Sequence, residues 1–249
     1  MYSSEVSHEE LESLKAYRGT TDRFSSDLSF SSGELLDLEA RKRIIAAAAA
    51  RMGAPNKMAA SSILMKRLGF IPVLGLYAFY KWGKVLDLSI ENVMVETDDR
   101  ESGWLPRFRL KTWRFVEWKG KGRAEMRQKN AERIFTGFLS PIMASLSQET
   151  SLSKHIMWEN IAVYIFWLYE SLLNSESDPA LAGTLREDME FICREAEGRI
   201  FGPCRSNPLT RYFHEKTGGI RYRSTCCLAY MLGGTGGKRC KTCPHYKCL

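Results

Sequence analysis

The chain has 249 residues, 44% of them hydrophobic and 26% charged, with a formal net charge of +7 and a pI of about 9.0. That apolar content suffices for one sizeable core and excludes a disordered polyelectrolyte. Seven cysteines behind an acidic start (Glu5, Glu9, Glu10, Glu12), which does not read as a signal peptide, argue for a reducing cytoplasm and against a disulfide framework.

Residues 1–33 are rich in Ser, Thr and acids and are expected to be poorly ordered. From 34 the spacing of Leu35, Leu36, Leu38, Ile44 and Ile45, followed by an alanine run, predicts a helix ending near Gly53. Pro55 opens a second helix through Met58, Ile63, Leu64 and Leu68. A third, apolar all round and so buried, is placed over about 73–86.

The period then changes from helical to alternating. Leu86, Leu88, Ile90, Val93 and Val95 on one side, and Arg107 to Lys111 with Trp113, Phe115 and Trp118 on the other, predict one long β-hairpin near 86–118. Its outer stripe of Arg107, Arg109 and Lys111 reads as a solvated face. Helix resumes over 123–146 with a kink at Pro141. Ser151 or Ser153 caps the next, which runs to about 173, and Asp178-Pro179 starts another that runs to about 195. Apolar stretches at 68–80 and 156–173 are short or interrupted by charge and read as core helices, not membrane spans. The expected fold is mostly α with a small antiparallel β component (α+β). It comprises a helical body over 34–202, one β-hairpin and a small C-terminal cysteine-rich lobe over 203–249.

Positive charge concentrates in that lobe, where Glu215 is the single acid after Arg205. The lobe also holds Cys226 and Cys227 side by side, then Cys240 and Cys243 enclosing Lys241 and Thr242. Four thiolates are a ligand set for tetrahedral zinc or for an iron–sulfur cluster. A C-x-x-C turn by itself reads more often as zinc. Adjacent cysteines diverge in direction and suit the wider target of a binuclear cluster, so the residues favour iron–sulfur while leaving zinc open. Cys193 and Cys204 read as structural or incidental, Cys248 as a free tail thiol, and His214 and His245 as surface or outer-shell groups.

The string Arg223-Ser-Thr-Cys-Cys-Leu-Ala-Tyr230 with Cys240-Lys-Thr-Cys-Pro244 resembles the C-terminal signature of the FhuF-type ferric siderophore reductases. Trp158-Glu-Asn160, Asn207-Pro-Leu209 and the strand around Leu86 to Val93 resemble further parts of the family pattern. The interval between the two cysteine pairs, 228–239, is two residues longer than is usual there. The excess falls in a glycine run at 233–237, which can bulge without moving its ends.

The resemblance implies a cytoplasmic oxidoreductase that reduces the Fe(III) of a ferric siderophore through a [2Fe-2S] cluster held by Cys226, Cys227, Cys240 and Cys243. The electron donor is then a ferredoxin or a flavoprotein reductase, with no nucleic-acid partner and at most peripheral membrane contact. Arg221, Arg223 and Lys241, with Lys238 and Arg239, are candidates for stabilising the reduced cluster or attracting an anionic chelate. Trp158 and Asn160 are candidates for lining a substrate cleft. The rival readings are a zinc-stabilised basic binding module without redox activity, and a siderophore-binding protein that does not reduce.

Overall fold

A computed structural model describes residues 2–101, 103–116 and 122–246. The molecule is mostly helical with two small antiparallel sheets, an α+β fold. The helical body begins with α2 (Leu38–Met52), after a short N-terminal α1 (His8–Lys15). Asp37 caps α2 by accepting from the Ala40 N–H at 2.8 Å, and Gly53 ends it at φ 59°, a left-handed cap. Asn56, not Pro55, starts α3 (Lys57–Leu68), accepting from Ala59 N–H. Pro55 therefore sits before the cap, in the turn it rigidifies.

Helix α4 (Phe70–Trp82) follows α3 at Gly69. A β-carbon at Gly69 would lie 2.8 Å from the Tyr164 ring, so the missing side chain lets this junction press against the next long helix. The stretch Lys57–Trp82 is long and apolar enough to cross a membrane by composition, but 83% of its most apolar window is buried inside the fold.

The expected single hairpin is two structures. Strand β4 (Val93–Glu96) pairs with β5 (Arg107–Leu110) on one side and with β2 (Phe30–Ser31) on the other. Strands β3 (Val85–Leu86) and β6 (Arg114–Val116) belong to a second sheet, with β6 central between β3 and β1 (Tyr2–Glu5). Asn92 makes the break. Its buried amide donates to the carbonyls of Asp87 and Thr112 and accepts from Thr112 N–H, replacing ladder bonds with side-chain bonds. Arg109 is buried and paired with buried Glu96 at 2.7 Å, so it leaves the expected solvated face, on which Lys111 is exposed and Arg107 partly so. Trp118 lies outside the described residues.

Residues 2–33 are likewise more structured than their composition predicts. Ser7 and Glu10 cap α1 reciprocally, Leu14 is fully buried, and Phe30 pairs with Val95. Partner strands far along the chain order this segment.

The helix expected to kink at Pro141 divides instead into α5 (Arg123–Glu132), a π-helical stretch (Arg133–Leu139) and α6 (Ser140–Thr150). A proline clashes with the turn before it, and the widened turn absorbs the clash one step upstream. Ser153 caps α7 (Lys154–Ser175), and Asp178 caps α8 (Pro179–Glu190). Helix α7 packs on α3, α4 and α8, so residues on its first turns reach the middle of the molecule.

Candidate metal centre

The start of α7 carries Trp158, Glu159 and Asn160, all buried. A buried carboxylate in an apolar helix is costly unless its oxygens are satisfied. Glu159 accepts from Ser224 N–H at 2.6 Å, from Thr225 N–H at 2.7 Å and from the Thr225 hydroxyl. Arg223, itself buried, places its Nε 3.7 Å from Glu159, donates to the Thr225 carbonyl and gives its Nη2 proton to Asn160 Oδ1 at 2.6 Å. Asn160 in turn donates to the carbonyl and hydroxyl oxygens of Ser62 on α3, and the Ser62 hydroxyl donates to the Cys227 carbonyl at 2.8 Å. One polar chain thus runs from α3 through α7 into the loop that bears the first two cysteines. The Arg223 N–H also bonds the Thr242 carbonyl at 2.7 Å, tying that loop to the C-x-x-C turn.

A second clamp holds the interval between the cysteine pairs. Gly233 N–H donates to the carbonyls of Met52 and Gly53 at the end of α2. Gly53 and Gly233 meet so closely that a β-carbon on Gly53 would fall 2.9 Å from Gly233 Cα. The glycine run therefore begins docked, and its spare length lies at Gly234, Gly236 and Gly237, all at positive φ with open space around them.

These anchors bring the four thiols together as two pairs, each drawing one sulfur from either end of the interval. Cys243 Sγ is 4.0 Å from Cys226 Sγ, and the Cys227 and Cys240 thiols interact closely enough to shift each other's titration in opposite directions. Cys227 and Cys243 are buried, Cys226 is half-buried and Cys240 is exposed. The interaction with Cys240 pulls the Cys227 thiol below the usual thiol range against the opposing effect of burial, with Lys66 and Arg223 adding to the fall. The same interaction, with burial, pushes Cys240 up. Cys226, held up by burial, accepts from Leu228 N–H at 3.4 Å, where Leu228 adopts a left-handed φ of 62°. Arg239 sets Nη1 4.0 Å from the sulfurs of both Cys226 and Cys243 and stacks on Tyr230.

This donor set fits a thiolate-held group. It is all sulfur, it receives a backbone N–H, and it is faced by cations that offset anionic charge. Four sulfurs of this kind can hold either a tetrahedral ion or a binuclear cluster. Among the described residues, no three potential ligands already converge on a single point.

Beside this lobe lies a cleft of about 390 Å³. Arg221, Arg223 and Thr242 line it from the lobe, Lys66 from α3 and Trp167 and Glu170 from α7.

The sequence model of the family described as "ferric iron reductase FhuF-like transporter" matches residues 70–220. The chain belongs to the FhuF-like family. The match spans α4, strands β3 to β6, the α7 anchor and the entry to the lobe, and ends just before Cys226. No curated protein matches the chain.

Within this FhuF-like fold the candidate residues fall into distinct places. Arg221 lines the cleft, paired with Glu170 at 2.8 Å and with its guanidinium 4.9 Å from the ring centroids of both Phe166 and Phe213. Arg223 lines it too, but most of its donors hold the lobe. Lys238 and Lys241 are exposed on the lobe surface. Trp158 does not reach the cleft: its ring packs against Phe135 and Phe201 in the core. Asn160 is fully buried between Ser62 and Arg223 and is a strut, not a substrate-lining group. Cys193 is buried in the core with its thiol pushed up by burial, and Cys204 faces the Phe201 carbonyl. His214 and His245 are exposed, and Cys248 lies outside the described residues.

Three residues that matter were not singled out from sequence. Glu159 registers there only as a charge interrupting an apolar helix, which is itself the usable signal, because such a charge needs buried partners. Ser62 and Lys66 carry no comparable mark, since one face of α3 acquires meaning only when the lobe lies against it.

Proposed function

We propose that this FhuF-like protein is a cytoplasmic ferric siderophore reductase whose redox group is a [2Fe-2S] cluster on Cys226, Cys227, Cys240 and Cys243. The observation that carries this is the division of four thiols into two close pairs within a lobe that a buried polar network pins beside a cationic cleft. When bound, such a cluster supplies single electrons, taken from a ferredoxin or flavoprotein donor and passed to a chelated Fe(III), whose Fe(II) product hard oxygen donors hold far less tightly. The chain's own residues set the conditions. Glu159, Arg223 and Asn160 fix the cysteine loop so that the sulfurs need little rearrangement. Arg239 places positive charge against two sulfurs, which favours the more negative, reduced form. The exposure of Cys240 leaves an approach for a donor protein.

The test is purification without oxygen, followed by iron, sulfide and zinc analysis and a visible spectrum. About two irons per chain, with absorption bleached by dithionite, are expected. Reduction of a ferric siderophore, followed with a ferrous-specific dye, completes the assay. A colourless protein holding one zinc overturns the proposal in favour of the zinc-stabilised module.

A further inference from the structure

The cleft has three walls, one each from α3, α7 and the cysteine lobe. Ser62 and Lys66 are four residues apart on α3 and share one face. The Ser62 hydroxyl touches the Cys227 carbonyl, so Lys66 stands one turn along from the cysteine backbone, with its side chain at the cleft. Thr242, between Cys240 and Cys243, forms part of the opposite wall.

The charges in this cleft do not cancel. Lys66, Lys216, Arg221 and Arg223 face two carboxylates, Glu159 and Glu170. Glu159 is taken up by the lobe, and Glu170 is shared by Lys216 and Arg221, each at 2.8 Å. Among the described residues no carboxylate pairs with Lys66, whose charge also acts on the Cys227 thiol. Beside it Trp167 remains 44% exposed, braced edge-on by Phe70 and Tyr17. A cation without a carboxylate partner, lining the same cleft as a braced, exposed aromatic plate, recognises an anion with an apolar or flat body.

We propose that this cleft docks a ferric chelate of net negative charge, with Lys66 meeting its charge and Trp167 its body, against the wall formed by the C-x-x-C turn. This rests on the reductase reading and specifies the substrate's charge class. Excess positive charge in a partly enclosed site concentrates anions and repels cations, so it selects among chelates by charge.

Gallium(III) chelates separate binding from reduction, because gallium resists one-electron reduction. The full-length protein is titrated calorimetrically with gallium(III) citrate, which is anionic, and with gallium(III) desferrioxamine B, which is cationic. Tighter binding of the anionic probe is expected. Lys66→Gln weakens that probe about tenfold, the size of one lost charge-assisted contact, and leaves the cationic probe unchanged. Lys66→Arg restores binding, and Trp167→Ala weakens both probes. The cleft is refuted by a wild-type protein with no charge preference, or by a folded Lys66→Gln that binds as wild type or loses both probes equally. A protein without reductase activity that still binds gallium citrate through Lys66 removes the reductase reading and keeps the cleft. An active reductase indifferent to Lys66→Gln does the reverse.

Discussion

Arg223 and Asn160 meet at 2.6 Å in the interior, 63 residues apart in the chain. Through that contact the cysteine lobe is bound to the helical body. Removing the guanidinium leaves Glu159 buried with its charge unpaired, the costly half of a broken ion pair. Arg223→Met is expected to destabilise the protein by about 3 kcal/mol and to release the lobe to protease first. Thermal unfolding and limited proteolysis check this. A melting temperature within a degree of wild type would remove Arg223 from the anchoring role.

The Gly53–Gly233 contact makes a separable prediction. Gly53 and Gly83 both cap helices at nearly the same positive φ, 59° and 62°, but only Gly53 has a backbone against it. Gly83→Ala therefore pays only the left-handed penalty of about 1 kcal/mol. Gly53→Ala carries that penalty plus a clash with Gly233 and is expected to cost at least about 2 kcal/mol. Equal losses in denaturant titrations would mean that the lobe does not rest on α2.

Cluster retention distinguishes the cysteines. Cys226→Ser and Cys243→Ser each remove one sulfur from the same close pair and are expected to abolish iron binding. Cys193→Ser is expected to keep about two irons per chain at some cost in stability, since that thiol sits in the core. Iron loss confined to Cys193→Ser would contradict the ligand assignment.

The midpoint potential reports on Arg239. Its guanidinium lies within 4.0 Å of two sulfurs, whereas Lys241 is exposed to screening solvent. Arg239→Gln is expected to lower the potential by on the order of 60 mV, a tenfold shift in a one-electron equilibrium. Lys241→Gln is expected to change it much less. A spectroelectrochemical titration measures both, and the reverse order would place the charges differently from the geometry described above.

The helices were legible because their signals are local. Ser153 and Asp178 announce helix starts through side chains that bond an N–H two residues on. The strand segments were legible by alternation, but their division into two sheets was not. That depends on Asn92 bonding across twenty residues to Thr112, and on β1 and β2 arriving from a segment with little hydrophobic period of its own. Arg109 misled for the same reason: its position in an alternating run says outward, while its partner Glu96 sits on the neighbouring strand.

By itself the sequence determined the mainly helical class, the four clustered cysteines and the resemblance they carry, because composition, caps and a short motif are written in consecutive residues. Tertiary structure alone decided which sulfur faces which, that Trp158 and Asn160 are core and strut, and that Lys66 stands at a cleft without a carboxylate partner. Each of those facts depends on α3, α7 and the lobe sharing one polar network, and a Coulomb or hydrogen-bond energy depends on separation in space, not on separation along the chain.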